Sequence, residues 1–169
     1  MAIKVEEYIR EDASNPYKQW FDSLSAQAAA KVTVAKLRIV GVIQITQKGY
    51  GIQNGQQAQG VKNMGLTRNF KETVIQRVQS DASFAQALLD EAATLFLNGE
   101  PETARLILRD LVNATIGFEQ LATLTDKPSK SLHRMLSPTG NPSMDNLAAI
   151  FRAVRERLQV SLQAHSMAV

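Results

Sequence analysis

The sequence predicts an all-α fold: a helix-turn-helix bundle of about five to six helices, after a small α/β or partly disordered N-terminal segment. Three observations predict it. From Thr67 onward, apolar residues recur three and four apart almost without interruption. Breaks in that pattern fall at helix-stopping or helix-starting residues: Asn98-Gly99, Pro101, Gly117 and Asn141-Pro142. Residues 41–65 hold six of the nine glycines with many Gln and Asn, a composition that favours turns or disorder.

At the N-terminus, Ile3–Ile9 reads as a strand. Asn15-Pro16 supplies a cap and a first helical residue for the short helix "PYKQWFDSL". Ser25 caps a second helix, Ala26–Ile39, with Val32, Ala35 and Leu37 turned partly inward. A short strand over Val42–Thr46 is compatible with the pattern, and Gln47–Gly65 reads as a linker. The expected division is therefore 1–46, a linker over 47–65, a helical domain over 66–160 and a frayed tail over 161–169.

In the helical part, Thr67–Gln79 places Phe70, Val74 and Val78 on one face, either in the core or as a docking face for a partner. Asp81 or Ser80 caps the next helix, which turns Phe84, Leu88, Leu89, Ala92, Leu95 and Phe96 inward. Pro101 opens a helix with Ala104, Ile107, Leu108 and Leu111 inward. "FEQLATL" is a short helix, Asp126-Lys127 a turn, and Ser129–Leu136 a second short helix. A last helix starting at Asn141-Pro142 carries Leu147, Ile150, Phe151, Val154 and Leu158 on one stripe.

Composition excludes several classes of function. There are no cysteines, hence no disulfide scaffold, thiolate metal site or Cys nucleophile. No stretch approaches 18 apolar residues, so no membrane span is expected, and a cytoplasmic location is the default. His133 and His165 lack metal-ligand spacing to acidic residues. "GYGIQN" lacks the third glycine and the βαβ context of a dinucleotide site. Adjacent acid pairs such as Asp90-Glu91 point to different sides of an element and read as solvated charges. No catalytic residue, metal or cofactor is expected. The net charge of +3 comes from residues 1–64, with eight Lys/Arg against five Asp/Glu; residues 65–169 hold eleven of each. Any attraction for nucleic acid must therefore come from local clustering.

That clustering occurs in "TDKPSKSLHRMLSPTGNP", Thr125–Pro142. Two short helices joined by a tight turn are the layout of a helix-turn-helix. Ala122 is small where the second helix would cross, Asp126 tolerates a left-handed turn, and Leu132 can anchor the second helix. The candidate DNA-contacting residues are Ser129, Lys130, Ser131, His133 and Arg134 on the second helix, with Lys127 and Asn141 in the flanking loops. From pattern alone, a solvated surface helix explains these residues equally well.

Residues 118–154, "FEQLATLTDKPSKSLHRMLSPTGNPSMDNLAAIFRAV", resemble the Cro-type phage-repressor helix-turn-helix. More narrowly, about Leu66 to Val160 resembles the HigA-type antitoxins, or addiction-module antidote proteins, through "GEPETARLILRDLVNATIGFEQLA" and "KSLHRML" followed by "GNPS". The resemblance implies a homodimer that binds double-stranded operator DNA and represses its own operon. It also implies a RelE/HigB-type toxin as partner, a protein that cleaves mRNA. The base-reading helix would be Ser129–Leu136, and Asp126 departs from the usual turn glycine. "VEEYIREDASNPYKQWFDSLSAQAAAKVTVAKLR" resembles the opening of such a toxin, without the later basic strands that carry its RNA-cleaving residues. It implies a truncated, inactive toxin start fused to an antitoxin. The alternative is a toxin-binding interaction protein that binds no DNA.

Overall fold

The computed structural model describes residues 6–49 and 66–163, and the side chains of 6–39 and 69–163. Within these residues the chain is mostly helical: strand β1 (Glu6–Ile9), helices α1 (Pro16–Ser23) and α2 (Ala26–Gly49), strand β2 (Leu66–Asn69), then α3 (Phe70–Ser80), α4 (Ala82–Leu97), α5 (Pro101–Thr115), α6 (Phe118–Thr125), α7 (Ser129–Met135) and α8 (Met144–Leu158). No helix among the described residues is long and apolar enough to cross a membrane.

Local chemistry explains most of the element ends. Asn15 Oδ1 accepts from Lys18 N at 2.8 Å, and Pro16 opens α1. Asp81 caps α4 through Phe84 N at 3.0 Å. Gly99 (φ 81°) and Gly117 (φ 75°) take the left-handed backbone that ends α4 and precedes α6.

Several boundaries differ from the sequence reading. α2 continues through Gly49, so Val42–Thr46 is helix and not strand, and residues 47–49 of the expected linker are helical; residues 50–65 lie outside the described residues. Helix propagation adds one hydrogen bond per residue to a turn already formed, which lets a long helix absorb poor helix formers such as Gly41 and Thr46. Leu66–Asn69 is a strand, because it pairs antiparallel with β1 in the register Glu6↔Asn69, Glu7↔Arg68, Tyr8↔Thr67 and Ile9↔Leu66. Only that partner makes it a strand, and α3 begins at Phe70. α8 begins at Met144 with Ser143 as its cap, not at Asn141-Pro142. The expected strand residues 3–5 lie outside the described residues.

Among the described residues, one core joins α1 and α2 to the later helices. Phe21, Ala29, Ala30, Val34 and Leu37 are buried in one cluster with Phe70, Val74, Val78, Phe84, Leu88, Leu89, Leu108 and Leu111. The inward stripe of α2 runs through Ala29, Ala30, Thr33, Val34 and Leu37; Ala35 is exposed and Val32 only half-buried. Phe70, Val74 and Val78 are core residues. Gln159 (φ 56°) ends α8, and beyond it Val160 and Leu162 pack back against the core.

Buried polar side chains tie these layers together. Arg77 donates from Nη2 to the Leu24 carbonyl at 2.7 Å and from Nη1 to the Phe21 carbonyl, so α3 caps the end of α1. Glu7 accepts from Asn15 Nδ2 (2.6 Å) and Thr73 Oγ1 (2.8 Å). Burial, with Glu7 close by, pushes the Tyr17 hydroxyl up to about 12. Burial also raises the Asp110 carboxyl, against the pull of Lys71 at 3.2 Å.

Candidate nucleic-acid interface

The residues singled out for DNA contact sit on α7, the turn between α6 and α7, and the loop to α8. α6 ends at Asp126, whose backbone is left-handed (φ 51°, ψ 45°). An aspartate tolerates this conformation because its short polar side chain satisfies local groups. Lys127 N then reaches back to the Ala122 carbonyl at 3.1 Å, closing the turn. Pro128 precedes Ser129, and α7 runs one residue shorter than expected, with Leu136 as its C-terminal cap.

Two leucines hold α7 down. Leu132 and Leu136 are fully buried, and Leu121 of α6 is buried in the same cluster. The opposite face is open. Lys130, Arg134 and Asn141 are exposed, and Lys127, Ser129 and Ser131 are half-exposed. No hydrogen bond or ion pair from another described residue engages the Lys130 or Arg134 side chain. These two cations, one turn apart, are thus available to an anionic partner. His133 is different. Its ring stacks on Phe118 at 3.6 Å between centroids with an 18° interplanar angle, so one ring face is committed to the protein.

Two residues that sequence reasoning passed over shape this site. Arg105 of α5 is buried, and its guanidinium donates to the carbonyls of Ser137 (3.1 Å) and Pro138 (2.7 Å). It thereby clamps the loop directly after α7. An arginine beside Ala104 on an otherwise apolar face was the available signal. Gly140 is the second. A Cβ there would stand 2.6 Å from the Arg134 carbonyl oxygen and closer still to that of Met135. Both obstacles are backbone, so neither yields by a rotamer change. Gly140→Ala should cost about 1–3 kcal/mol by overpacking and fray the end of α7. Thermal unfolding and amide exchange of residues 135–140 measure this; an unchanged melting temperature would show that the loop relaxes freely.

Among the described residues, no group of three or more His, Asp or Glu side chains is placed to hold a metal ion. Comparison with protein-family models, with curated proteins and with solved structures gives no match to this chain, and the reading of the site rests on its own residues and geometry.

Proposed function

We propose that this chain is a sequence-specific DNA-binding regulator of the helix-turn-helix type, with α7 as the reading helix. The observation that carries this reading is the construction of α7. It is anchored by buried Leu132 and Leu136, entered through a left-handed turn at Asp126, and presents Lys130 and Arg134 without a protein partner among the described residues. A homodimer would place the two α7 helices in successive major grooves, about 34 Å apart. Lys130 and Arg134 are the proposed guanine or phosphate contacts and Ser129, Ser131 and His133 the proposed base-edge or phosphate contacts, with Lys127 and Asn141 on the DNA backbone. An apolar groove of about 240 Å³, lined by Phe96, Leu97, Met144 and Phe151, lies between α4 and α8 and is compatible with self-association.

The antitoxin part of the proposal rests on the resemblance of residues 66–160. In that role the chain represses its own operon and neutralises an mRNA-cleaving toxin of the RelE/HigB type, with no enzymatic activity of its own.

Gel shift against the DNA upstream of the chain's own coding sequence tests the reading. Arg134→Ala should weaken that binding by about 1–3 kcal/mol if the side chain makes a bidentate base contact. Equal weakening on unrelated DNA would make Arg134 a phosphate contact. No change on either DNA would remove α7 from the interface. Few cations also mean a shallow salt dependence, with a slope of about −0.9 per phosphate neutralised.

A second reading, a toxin-binding protein without DNA binding, draws on the charge balance of residues 65–169, eleven basic against eleven acidic. It predicts co-purification with a small basic protein and no gel shift.

A further inference from the structure

The contact between residues 6–39 and the rest of the described chain has an unusual centre. Phe21 stands edge-on to Phe84 at 5.6 Å and 89°. The Arg77 guanidinium lies 5.1 Å from the Phe21 ring centre and 4.9 Å from that of Phe84. It also holds the carbonyls of Phe21 and Leu24. Polar contacts surround this centre. Glu7 accepts from Thr73. Arg38 makes a bidentate pair with Glu100 at 2.8 and 2.7 Å, with both side chains nearly half exposed. At one end, β1 adds to β2 through main-chain pairing.

A buried aromatic and arginine centre flanked by polar and charged contacts is the anatomy of an interface between two proteins. Strand addition is likewise a recurrent way of capturing a separate polypeptide. The N-terminal side of the contact comes from one continuous block, β1–α1–α2, which reaches β2 through residues 50–65. α7, by contrast, packs on α6.

We propose that β2, α3, α4 and α5 form a docking surface for a separable strand–helix–helix ligand, and that residues 6–39 are that ligand, supplied by the chain itself. A tethered ligand acts at an effective concentration of the order of millimolar. A second polypeptide presenting the same segment is therefore excluded until the chain's own copy is displaced. The antitoxin reading consequently gains a restraint: a toxin that binds through such a segment meets a surface already covered. The docking surface itself does not depend on α7 reading DNA.

The test uses the full chain with a protease recognition sequence inserted between residues 50 and 65, and a fluorescent peptide of residues 1–49 as probe. Before cleavage the tethered copy excludes the probe. After cleavage and equilibration, the probe should bind at least about a hundredfold more tightly, as the tether's advantage is lost. Phe21→Ala in the intact chain is the second arm. It weakens the tethered copy without changing any residue of β2 or α3–α5, so the wild-type probe should enter; a probe carrying Phe21→Ala should not. Equal probe binding before and after cleavage overturns the proposal. So does a cleaved chain that takes no probe, or one that loses its helical circular dichroism when the N-terminal piece departs. A parallel gel shift keeps the two questions apart, since its failure concerns only α7.

Discussion

Arg77→Ala is expected to destabilise the protein by about 2–6 kcal/mol, from about 1–3 kcal/mol for each of two buried carbonyls left without that donor. The Arg77 side chain is 7% exposed and serves three acceptors: the Phe21 and Leu24 carbonyls and the Asp81 carboxylate, the last at 3.3 Å. Alanine leaves two carbonyls at the end of α1 without that donor and removes the cation lying over Phe21 and Phe84. Hydrogen bonds to charged groups each contribute roughly 1.5–3 kcal/mol, so even partial replacement by water leaves a large deficit. Arg77→Lys should recover only part of it. A single ammonium cannot reproduce the planar fork that serves divergent acceptors. Urea unfolding of the three proteins measures this. A lysine variant as stable as the parent would show that charge alone matters and that the fork contributes nothing.

Leu132→Ala should cost about 2–5 kcal/mol, since it removes a fully buried side chain and leaves a cavity between α7 and its neighbours. Its value lies in comparison with Arg134→Ala. Arg134 is exposed and unengaged among the described residues, so its loss should leave the melting temperature nearly unchanged while DNA affinity falls. Leu132→Ala should lower both, because α7 loses the anchor that holds its outer face in place. If Leu132→Ala melts early and still binds DNA with the parent's affinity under folded conditions, α7 is not the reading helix. If Arg134→Ala also melts early, the side chain has a structural partner.

Much of the helical part was legible from residue pattern. Phe70, Val74, Val78, Leu88, Ile107, Leu111 and Ile150 recur at helical spacing, and all are buried. Caps with their own chemistry were legible too: Asn15, Asp81, Gly99 and Gly117 act through their own side chain or backbone freedom. Asp126 belongs with them, because a left-handed residue between two apolar-periodic segments is a local demand. Elements that depend on a distant partner were less legible. Leu66–Asn69 looks like the start of a helix until β1 pairs with it. Ser143 outcompetes Asn141-Pro142 as the start of α8, within a loop that Arg105 and Gly140 constrain.

By itself, the sequence determined the helical character of residues 70–158, the short helix pair around Asp126, and the inward place of Leu132 on α7. These follow from spacing and from residues whose preferences act over a few bonds. Only the tertiary structure decided that α1 and α2 share a core with α3–α5 and that β1 pairs with β2. It alone showed that Arg77 closes that contact, that Arg105 holds the loop after α7, and that His133 rests on Phe118. Each of those contacts joins residues separated along the chain. Their energy depends on geometry that no local pattern encodes: where a buried guanidinium finds its carbonyls, and which strand lies within reach of another.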